Sequence, residues 1–419
     1  MASLSARHIQ DFGDASTIEK HWGYADRVVP CTNDAGSCEY LDVVYRTADV
    51  SNIYSGILWA TFLGILLIWG LFRLVVKSSQ SGGHSTLGKL VRSLTAVSRR
   101  RLLPESVRSI FGRTTRLQVL ILTMLTAYLA IWSFVGITYK TWITPVKKHP
   151  ELHNTRTSLG PWSDRIGVLA FALTPLSVML SSRESLLSLI TGLPYQSFNF
   201  LHRWLGYIIF VQSALHTIGW CIIEIRLYQP QPSTGMEWIK ETYMVWGVVA
   251  MIFLTLMFIL STPWAIRRTG YEFFRKSHYV MAMLYIGACW GHWAKLNCWM
   301  IASLIVWFLD RGVRLLRSAL IHRWFYSGKF IGFRAAEASI TPFRDARNGD
   351  VIRLDFEQKR STWQIGQHFY LCFPELSIWQ SHPFTPASMP CQEDSGPSKN
   401  TYILTVSYTH LTLPTKRIV

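Results

Sequence analysis

The sequence predicts an α-helical polytopic membrane protein with about seven transmembrane helices, followed by a small antiparallel β-barrel domain. Three observations support this fold class. The 419 residues are 49% hydrophobic, and much of that content lies in long apolar segments. Two of these segments each carry a pair of histidines at the same spacing. Beyond the last segment the sequence changes to short alternating runs, which are typical of half-buried strands.

The composition excludes several other classes of protein. The chain has 18 Trp, 17 Tyr and 22 Phe, too many for a disordered chain, and its 7 Cys are too few for a disulfide scaffold. Its 42 Lys and Arg against 25 Asp and Glu give a net charge of +17, which could indicate a nucleic-acid-binding face. Because much of this charge lies between apolar segments, we interpret it as a topology signal and predict no nucleic-acid partner.

Seven apolar segments are predicted to span the membrane. Ile53–Val76 and Leu117–Tyr139 are long enough to cross a hydrocarbon layer of about 30 Å at ~1.5 Å per residue. The other five are shorter or contain polar residues: Ile166–Ser182, Phe200–Ile223, Met244–Leu260, His278–Trp293 and Trp299–Leu316. Membrane lipid is therefore the expected surrounding of most of the chain.

The charges between these segments predict their orientation. Residues 1–52 hold four basic and eight acidic residues, whereas residues 77–116 hold nine basic residues and one acidic residue. Because Lys and Arg are enriched in cytoplasmic loops, we expect the N-terminus outside and, after seven spans, the C-terminus in the cytoplasm. The loop over residues 140–165 contains three lysines and is an exception to this pattern.

Two cysteines lie in the predicted extracellular tail. Cys31 and Cys38 could form a disulfide there, because that environment is oxidising. The sequence leaves open whether they pair or remain free thiols. It contains no Cys-x-x-Cys motif, so it carries no signature of a zinc site or of c-type haem.

Four histidines in two predicted spans form the most informative pattern. His202 and His216 lie on one span and His278 and His292 on another, each pair 14 residues apart. At about 100° per residue this spacing brings both imidazoles to one helix face, ~21 Å apart along the axis. Both spans run from inside to outside in this topology. His202 and His278 therefore form an inner pair, and His216 and His292 an outer pair.

Two imidazoles at each level are suited to the axial positions of low-spin haem iron. We therefore predict two b-type haems, one held by the inner pair and one by the outer pair. A bare Zn or Cu ion is an alternative, but two histidines leave it short of ligands. Histidines that merely bond to neighbouring carbonyls are the other alternative, although an ionisable residue inside a membrane usually has a function.

Basic residues near the histidines are candidates for binding haem propionates. Arg203 follows the first inner histidine, and Arg275 and Lys276 precede the second. The same residues fit the ordinary positive flank of a cytoplasmic helix end, and the sequence does not separate the two roles. Lys295, beyond the outer pair, is a candidate for the outer haem or for anionic iron chelates.

Strand patterns begin after the last apolar segment. Asp350–Gln358, Gly366–Phe373 and Thr401–Val406 are predicted strands of an antiparallel barrel. A Pro-rich segment between the second and third strands offers hydroxyl groups to a phosphate or a flavin. It comprises His382, Pro383, Phe384, Thr385 and Ser388. On spacing alone, a plain loop is the better interpretation of this segment.

The stretch Ser158–Trp220 resembles the fungal ferric reductase transmembrane components. That family carries paired histidines at this spacing on two helices, followed by a flavin domain marked by His-Pro-Phe-Thr, here His382–Thr385. Gly366–Phe373 resembles the strand that precedes this motif. The resemblance extends from about Ile53 to Thr405.

The resemblance implies FAD bound at the His-Pro-Phe-Thr segment, NADPH as donor, and two haems. The implied function is transmembrane electron transfer to extracellular Fe(III) or Cu(II) chelates for metal uptake at the plasma membrane, with an iron-uptake permease or oxidase as a possible partner. A superoxide-generating NADPH oxidase of the same superfamily is the nearest alternative, because the four histidines would serve both reactions. A non-enzymatic seven-helix receptor or transporter is the alternative from another class.

The predicted organisation has five segments. They are the extracellular tail (1–52), two spans with a basic cytoplasmic loop (53–140), a haem-binding transmembrane domain (160–318), a partial FAD-binding barrel (325–405) and a C-terminal tail (406–419). The family continues with a nucleotide-binding domain, and no Gly-rich motif follows His382, so we expect this chain to lack the NADPH site and the activity that needs it. The tail contains VSYTHLTLPT, which reads like a translated sequencing adapter; we expect it to be foreign, with a genuine β-hairpin as the alternative.

Overall fold

The computed structural model describes residues 10, 17–81, 86–147, 149–183, 186–193, 195–322, 338–344, 351–358, 367–373, 381–388 and 400–407. The chain divides into two compact units, Met1–Val313 and Arg314–Val419. The described residues of the first unit are mainly helical, and those of the second unit lie mainly in strands.

In chain order the described α-helices are α1 (Ala35–Ser81), α2 (Thr86–Leu102), α3 (Arg108–Phe111), α4 (Arg116–Phe134), α5 (Leu159–Ser181), α6 (Leu186–Thr191), α7 (Asn199–Ile222), α8 (Ser233–Ile239), α9 (Thr242–Leu260), α10 (Pro263–Thr269), α11 (Tyr271–His292) and α12 (Asn297–His322). Each of the seven predicted apolar segments is covered by one of the longer helices, whereas α2 lies in the predicted basic loop. Strands β1 (Thr17–Glu19) and β2 (Arg27–Val29) form one antiparallel pair, and β3 (Thr141–Val146) and β4 (His149–Thr157) form another.

Within the described residues, five helices are long and apolar enough to cross a membrane: Ala35–Leu74 of α1, α4, α5, Tyr195–Leu227 around α7, and α9. Seven spans were predicted. The helices over the other two predicted spans, α11 and α12, are present but are not among the five. The start of α11 is polar, with Glu272, Arg275 and Lys276 in its first two turns, which lowers its mean hydropathy.

Helix α1 begins well before the predicted span at Ile53. The Asp34 carboxylate accepts the backbone N–H of Ser37 at 2.9 Å and so caps the helix start. The first turns bury Tyr40 and Tyr45, which pack in one apolar cluster with Trp142 of β3. Part of the predicted extracellular tail is therefore helix. The prediction missed it because this apolar face is covered by a distant hairpin.

The core of the bundle consists of two antiparallel helix pairs, α5 with α7 and α9 with α11. Helix α5 is the most buried candidate span. Its Ala172 and Leu173 are fully buried, as is Leu205 of α7. Because lipid tails are as apolar as leucine, close packing of small and large side chains stabilises these contacts more than removal from water does.

The described residues of the second unit form five strands, and every described pairing is antiparallel. β5 (Ala338–Phe343), β6 (Val351–Gln358) and β9 (Asn400–Ser407) form one sheet in the order β5-β6-β9, and β7 (Phe369–Cys372) pairs with β8 (Ser381–Phe384). A small core contains Leu354, Phe356, Leu371 and Phe373. The antiparallel strands predicted here are confirmed as β6, β7 and β9.

Two features of this unit differ from the prediction. Strand β5 was not predicted. The segment interpreted as a plain loop contains β8, whose Pro383 lies opposite Tyr370 of β7. Proline is tolerated in a strand that leaves one edge free, so its presence was a poor argument for a loop. Most of the predicted foreign tail, 408–419, lies outside the described residues, while Val406 and Ser407 belong to β9.

Candidate haem site

The four histidines of α7 and α11 meet in the two pairs that the helical spacing predicts. In the inner pair the ring centroids of His202 and His278 are 6.2 Å apart, with ring planes at 79°. In the outer pair His216 and His292 are also 6.2 Å apart, at 81°. Two helices thus present two similar imidazole pairs at two levels of one bundle.

Each imidazole is held through its Nδ1 atom. His202 bonds to the Ser177 carbonyl at 2.9 Å, His216 to the Ser163 carbonyl at 2.7 Å, His292 to the Tyr243 carbonyl at 2.8 Å, and His278 to the Ser261 hydroxyl at 3.2 Å. A carbonyl only accepts, so in three rings Nδ1 carries the proton and Nε2 keeps its lone pair. Among the described residues no hydrogen bond occupies these Nε2 atoms, which are therefore available to a metal.

The groups that hold the α7 histidines repeat their spacing. Ser163 and Ser177 are 14 residues apart on α5, which runs antiparallel to α7. One face of α5 therefore meets both histidines of α7. This second 14-residue interval is visible in the sequence and is a signal for the packing of α5 against α7.

Two glycines allow the outer pair to lie against the neighbouring helices. Gly167 follows Ser163 by one turn of α5, and Gly247 follows Tyr243 by one turn of α9. A Cβ atom on either glycine would lie 2.7 Å from the Nδ1 of His216 or His292, respectively. Each ring therefore packs directly on glycine backbone, and any side chain there would displace it.

The residues present fit haem. Two metal–imidazole bonds of about 2 Å, together with the half-widths of two rings, account for the separation of the ring centroids. In the described part of the chain no three His, Cys, Asp or Glu residues are grouped to hold a metal ion. An iron bound by either pair must bring its remaining ligands with it, as the iron of a porphyrin does.

A cavity of about 590 Å³ adjoins the outer pair. Its walls are mostly apolar, and its volume lies within the roughly 300–1,000 Å³ of typical ligand pockets. Charged and polar groups line it as well, among them Tyr24, Arg156, Asp164 and Glu224. Asp164 accepts hydrogen bonds from the Tyr24 hydroxyl at 3.1 Å and the Trp220 indole at 3.0 Å.

The N-terminal segment packs against this end of the bundle. The Trp293 indole donates to the Gly23 carbonyl at 2.9 Å, and Lys295 pairs with Asp26 at 2.9 Å. Burial, reinforced by the charge of Asp164, raises the pKa of Tyr24 well above its usual range, so the phenol stays protonated. Cys31 and Cys38, the candidate pair, form a disulfide between β2 and the start of α1.

The basic residues near the inner pair lie at the surface. Arg203 is exposed, with its guanidinium 5.9 Å from the Phe200 ring centroid. Arg275 donates to Glu272 at 2.7 Å with 41% of its side chain exposed, and Lys276 is exposed. Their role as propionate ligands stays a prediction.

The residues predicted to bind flavin lie on or just after β8. His382, Pro383 and Phe384 pair with Leu371, Tyr370 and Phe369 of β7, and Thr385 and Ser388 follow the strand. The Phe384 ring contacts Phe373 edge to face, with centroids 6.3 Å apart. Their role in binding flavin also stays a prediction.

Comparisons with known proteins agree with this arrangement. Residues 166–289 match the family model of the ferric reductase like transmembrane component, and residues 331–396 match that of an FAD-binding domain. The fold and the site thus define a helical membrane protein with a ferric reductase-like transmembrane region and an FAD-binding domain. The chain is homologous to the ferric reductase transmembrane components of yeast.

The similarity to individual relatives is moderate. The chain is 28% identical to Ferric reductase transmembrane component 4 of Saccharomyces cerevisiae over 353 residues, covering 81% of this chain and 45% of that protein. It is 27% identical to Ferric/cupric reductase transmembrane component 2 of the same yeast over 363 residues, covering 81% and 46%. The Schizosaccharomyces pombe protein of that last name is 31% identical over 231 residues, covering 54% and 36%. The chain thus spans about half or less of the length of these curated relatives.

Proposed function

We propose that this chain is the electron-transferring membrane part of a metalloreductase. In this function, electrons from cytoplasmic NADPH would pass through FAD and two b-type haems to extracellular Fe(III) or Cu(II) chelates for metal uptake. The observation that carries the proposal is the presence of two histidine pairs. Within each pair the ring centroids are 6.2 Å apart, and the Nε2 atoms are available to a metal. Cu(II) is included because two relatives are ferric/cupric reductases by name.

The histidines would hold one haem at each level, and bound haem supplies one-electron exchange between ferric and ferrous iron. The chain's own residues orient the imidazoles through Nδ1 and keep each Nε2 unprotonated for the metal. Two protein ligands per iron leave no free coordination site, which suits the passage of electrons rather than the binding of oxygen. The two histidine pairs lie ~21 Å apart along the helix axes, which is most of the roughly 30 Å thickness of a hydrocarbon layer.

Orientation and location belong to the same proposal. The acidic N-terminal region and the basic residues 77–116 support an N-terminus on the outer side of the membrane. The membrane in this proposal is the plasma membrane. The match over residues 331–396, which includes His382–Thr385, supports an FAD site, and in this topology that site would lie in the cytoplasm. An iron-uptake permease or oxidase in the same membrane would be the natural consumer of the reduced metal.

The test is haem content and reoxidation in the purified chain. We expect two haems per chain, a Soret band that shifts on dithionite reduction, and rapid reoxidation by a ferric chelate. His216→Ala should lose one haem and should no longer react with the chelate. His153→Ala, at an exposed position of the β3–β4 hairpin, should keep both haems and the reaction. Two retained haems in His216→Ala would contradict the proposal. Formation of superoxide without Fe(II) would favour an oxidase. The absence of any Soret band would favour a receptor or transporter.

A further inference from the structure

Arg156 of β4 is a buried cation at the end of the helical bundle where the outer histidine pair lies. Only 6% of the residue is exposed. Its Nε donates to the Thr144 hydroxyl at 3.1 Å and one terminal nitrogen to the Tyr228 hydroxyl at 3.0 Å. The guanidinium also lies 5.3 Å from the Tyr40 ring centroid and 4.8 Å from that of Tyr228. All of these partners are neutral.

No carboxylate of the described residues lies within ion-pair distance of Arg156. Two acidic residues share its cavity. Asp164 bonds instead to Tyr24 and Trp220. Glu224 is buried as well. Burying a guanidinium without a counter-charge costs free energy, because neutral partners replace only part of its hydration. Arg156 also has donors left over, since a guanidinium has five and two are used.

The cavity joins Arg156 to the outer pair, since both line it. We propose that Arg156 binds a carboxylate in this cavity, and that this carboxylate is a propionate of the haem held by the outer pair. The inference rests on the proposed function, because it requires that haem. Arg156 then positions the haem, because the parallel N–H groups of its planar guanidinium match the two oxygens of a carboxylate in a bidentate arrangement. A carboxylate of the ferric chelate is the other source of the same chemistry.

Lys295, the candidate named from the sequence, is less suited to this role than Arg156. Lys295 pairs with Asp26 at 2.9 Å, its side chain is 46% exposed, and it does not line the cavity. The sequence carries no signal for Arg156, because a hairpin between two spans brings it into the cavity beside the outer pair.

The experiment is a redox titration of the purified holo-chain without chelate, comparing the wild type with Arg156→Gln. Reduction adds negative charge to the haem, which a nearby cation stabilises. We therefore expect the midpoint potential of one of the two haems to fall and that haem to be lost roughly 10- to 100-fold faster. Arg156→Lys keeps the positive charge but lacks the planar bidentate donors, so it should restore the midpoint potential in part.

Arg27→Gln is the matched control. Arg27 also stacks on a tyrosine, 5.1 Å from the Tyr45 ring centroid, but it pairs with Asp42 and does not line the cavity. Both potentials should stay at their wild-type values in this variant. Circular dichroism of each variant checks that the bundle remains folded.

A second measurement separates the two carboxylate sources. The reduced protein is reoxidised by ferric citrate and by a ferric complex without carboxylates. Unchanged potentials in Arg156→Gln, with slower reoxidation by citrate alone, would assign the site to the chelate and overturn the propionate assignment. No change in either measurement would overturn the carboxylate site altogether. A wild type without two haems would instead contradict the proposed function.

Discussion

His278 differs from the other three histidines in what holds its Nδ1. The other rings bond to backbone carbonyls, which no substitution removes, whereas His278 bonds to the Ser261 side chain at 3.2 Å. The Ser261 hydroxyl donates to the Met257 carbonyl at 2.6 Å, so its lone pairs are free to accept from the imidazole. The inner haem therefore depends on one side chain that can be tested directly.

Ser261→Ala should loosen the inner haem roughly 10-fold or more, because partners that orient a metal-binding histidine contribute that much to affinity. Haem content after dilution in detergent measures the effect. Ser177→Ala is the matched control: its hydroxyl lies 3.2 Å from His202 Nδ1, but the Ser177 carbonyl at 2.9 Å remains in the variant. Equal haem loss in both variants would contradict the role given to the Ser261 hydroxyl.

Gly167→Ala and Gly247→Ala should each weaken the outer haem, because a methyl group would lie 2.7 Å from a histidine Nδ1. Inserting a methyl group into a packed site costs about 1–3 kcal/mol. Reduced-minus-oxidised difference spectra should show a smaller contribution from one haem and an unchanged contribution from the other. Gly287→Ala on α11 is the control, since nothing lies within 4 Å of its added Cβ. The idea fails if all three variants behave alike.

At the scale of elements, each helix that carries histidines has its own orienting helix. Helix α5 supplies the carbonyls of Ser163 and Ser177 to α7, and α9 supplies the Tyr243 carbonyl to α11. Because both helix pairs are antiparallel, one orienting helix reaches both levels. The ring planes are consequently fixed at 79° in the inner pair and 81° in the outer pair.

Nearly perpendicular axial imidazoles predict an unusual spectroscopic signature. In the oxidised holo-chain both haems should give strongly anisotropic low-spin ferric EPR signals, because perpendicular rings leave two iron d orbitals almost equal in energy. Low-temperature EPR of the membrane-bound protein measures this. Rhombic signals, typical of parallel rings, would show that the rings rotate when haem binds, and high-spin signals would contradict two histidine ligands per iron.

For the whole molecule, the outer pair, the N-terminal segment and the β3–β4 hairpin lie at one end of the bundle. Helix α1 starts at this end and leads away from it towards α2. We therefore expect the exposed basic residues of α2, among them Arg99, Arg100 and Arg101, on the opposite side of a membrane. This arrangement makes the predicted orientation testable.

In intact cells, Lys147→Cys on the hairpin should react with a membrane-impermeant maleimide, and Ser98→Cys on α2 should react only after permeabilisation. Both positions are exposed, so accessibility within the fold does not decide the outcome. The unsubstituted chain gives the background of its free thiols. The opposite pattern would reverse the topology and would place the outer pair on the cytoplasmic side.

The sequence by itself determined the helical class, most of the spans, the four histidines and their pairing, and three of the strands. These features depend on periodicity along one segment, which the chain carries locally. Only the tertiary structure decided what surrounds the histidines: the carbonyls of Ser163 and Tyr243, the glycines that lie beside the rings, and Arg156. A backbone carbonyl or a glycine has no side-chain signature, and Arg156 reaches the outer pair through a hairpin far from both histidines in sequence. Such contacts exist only after distant segments have packed together.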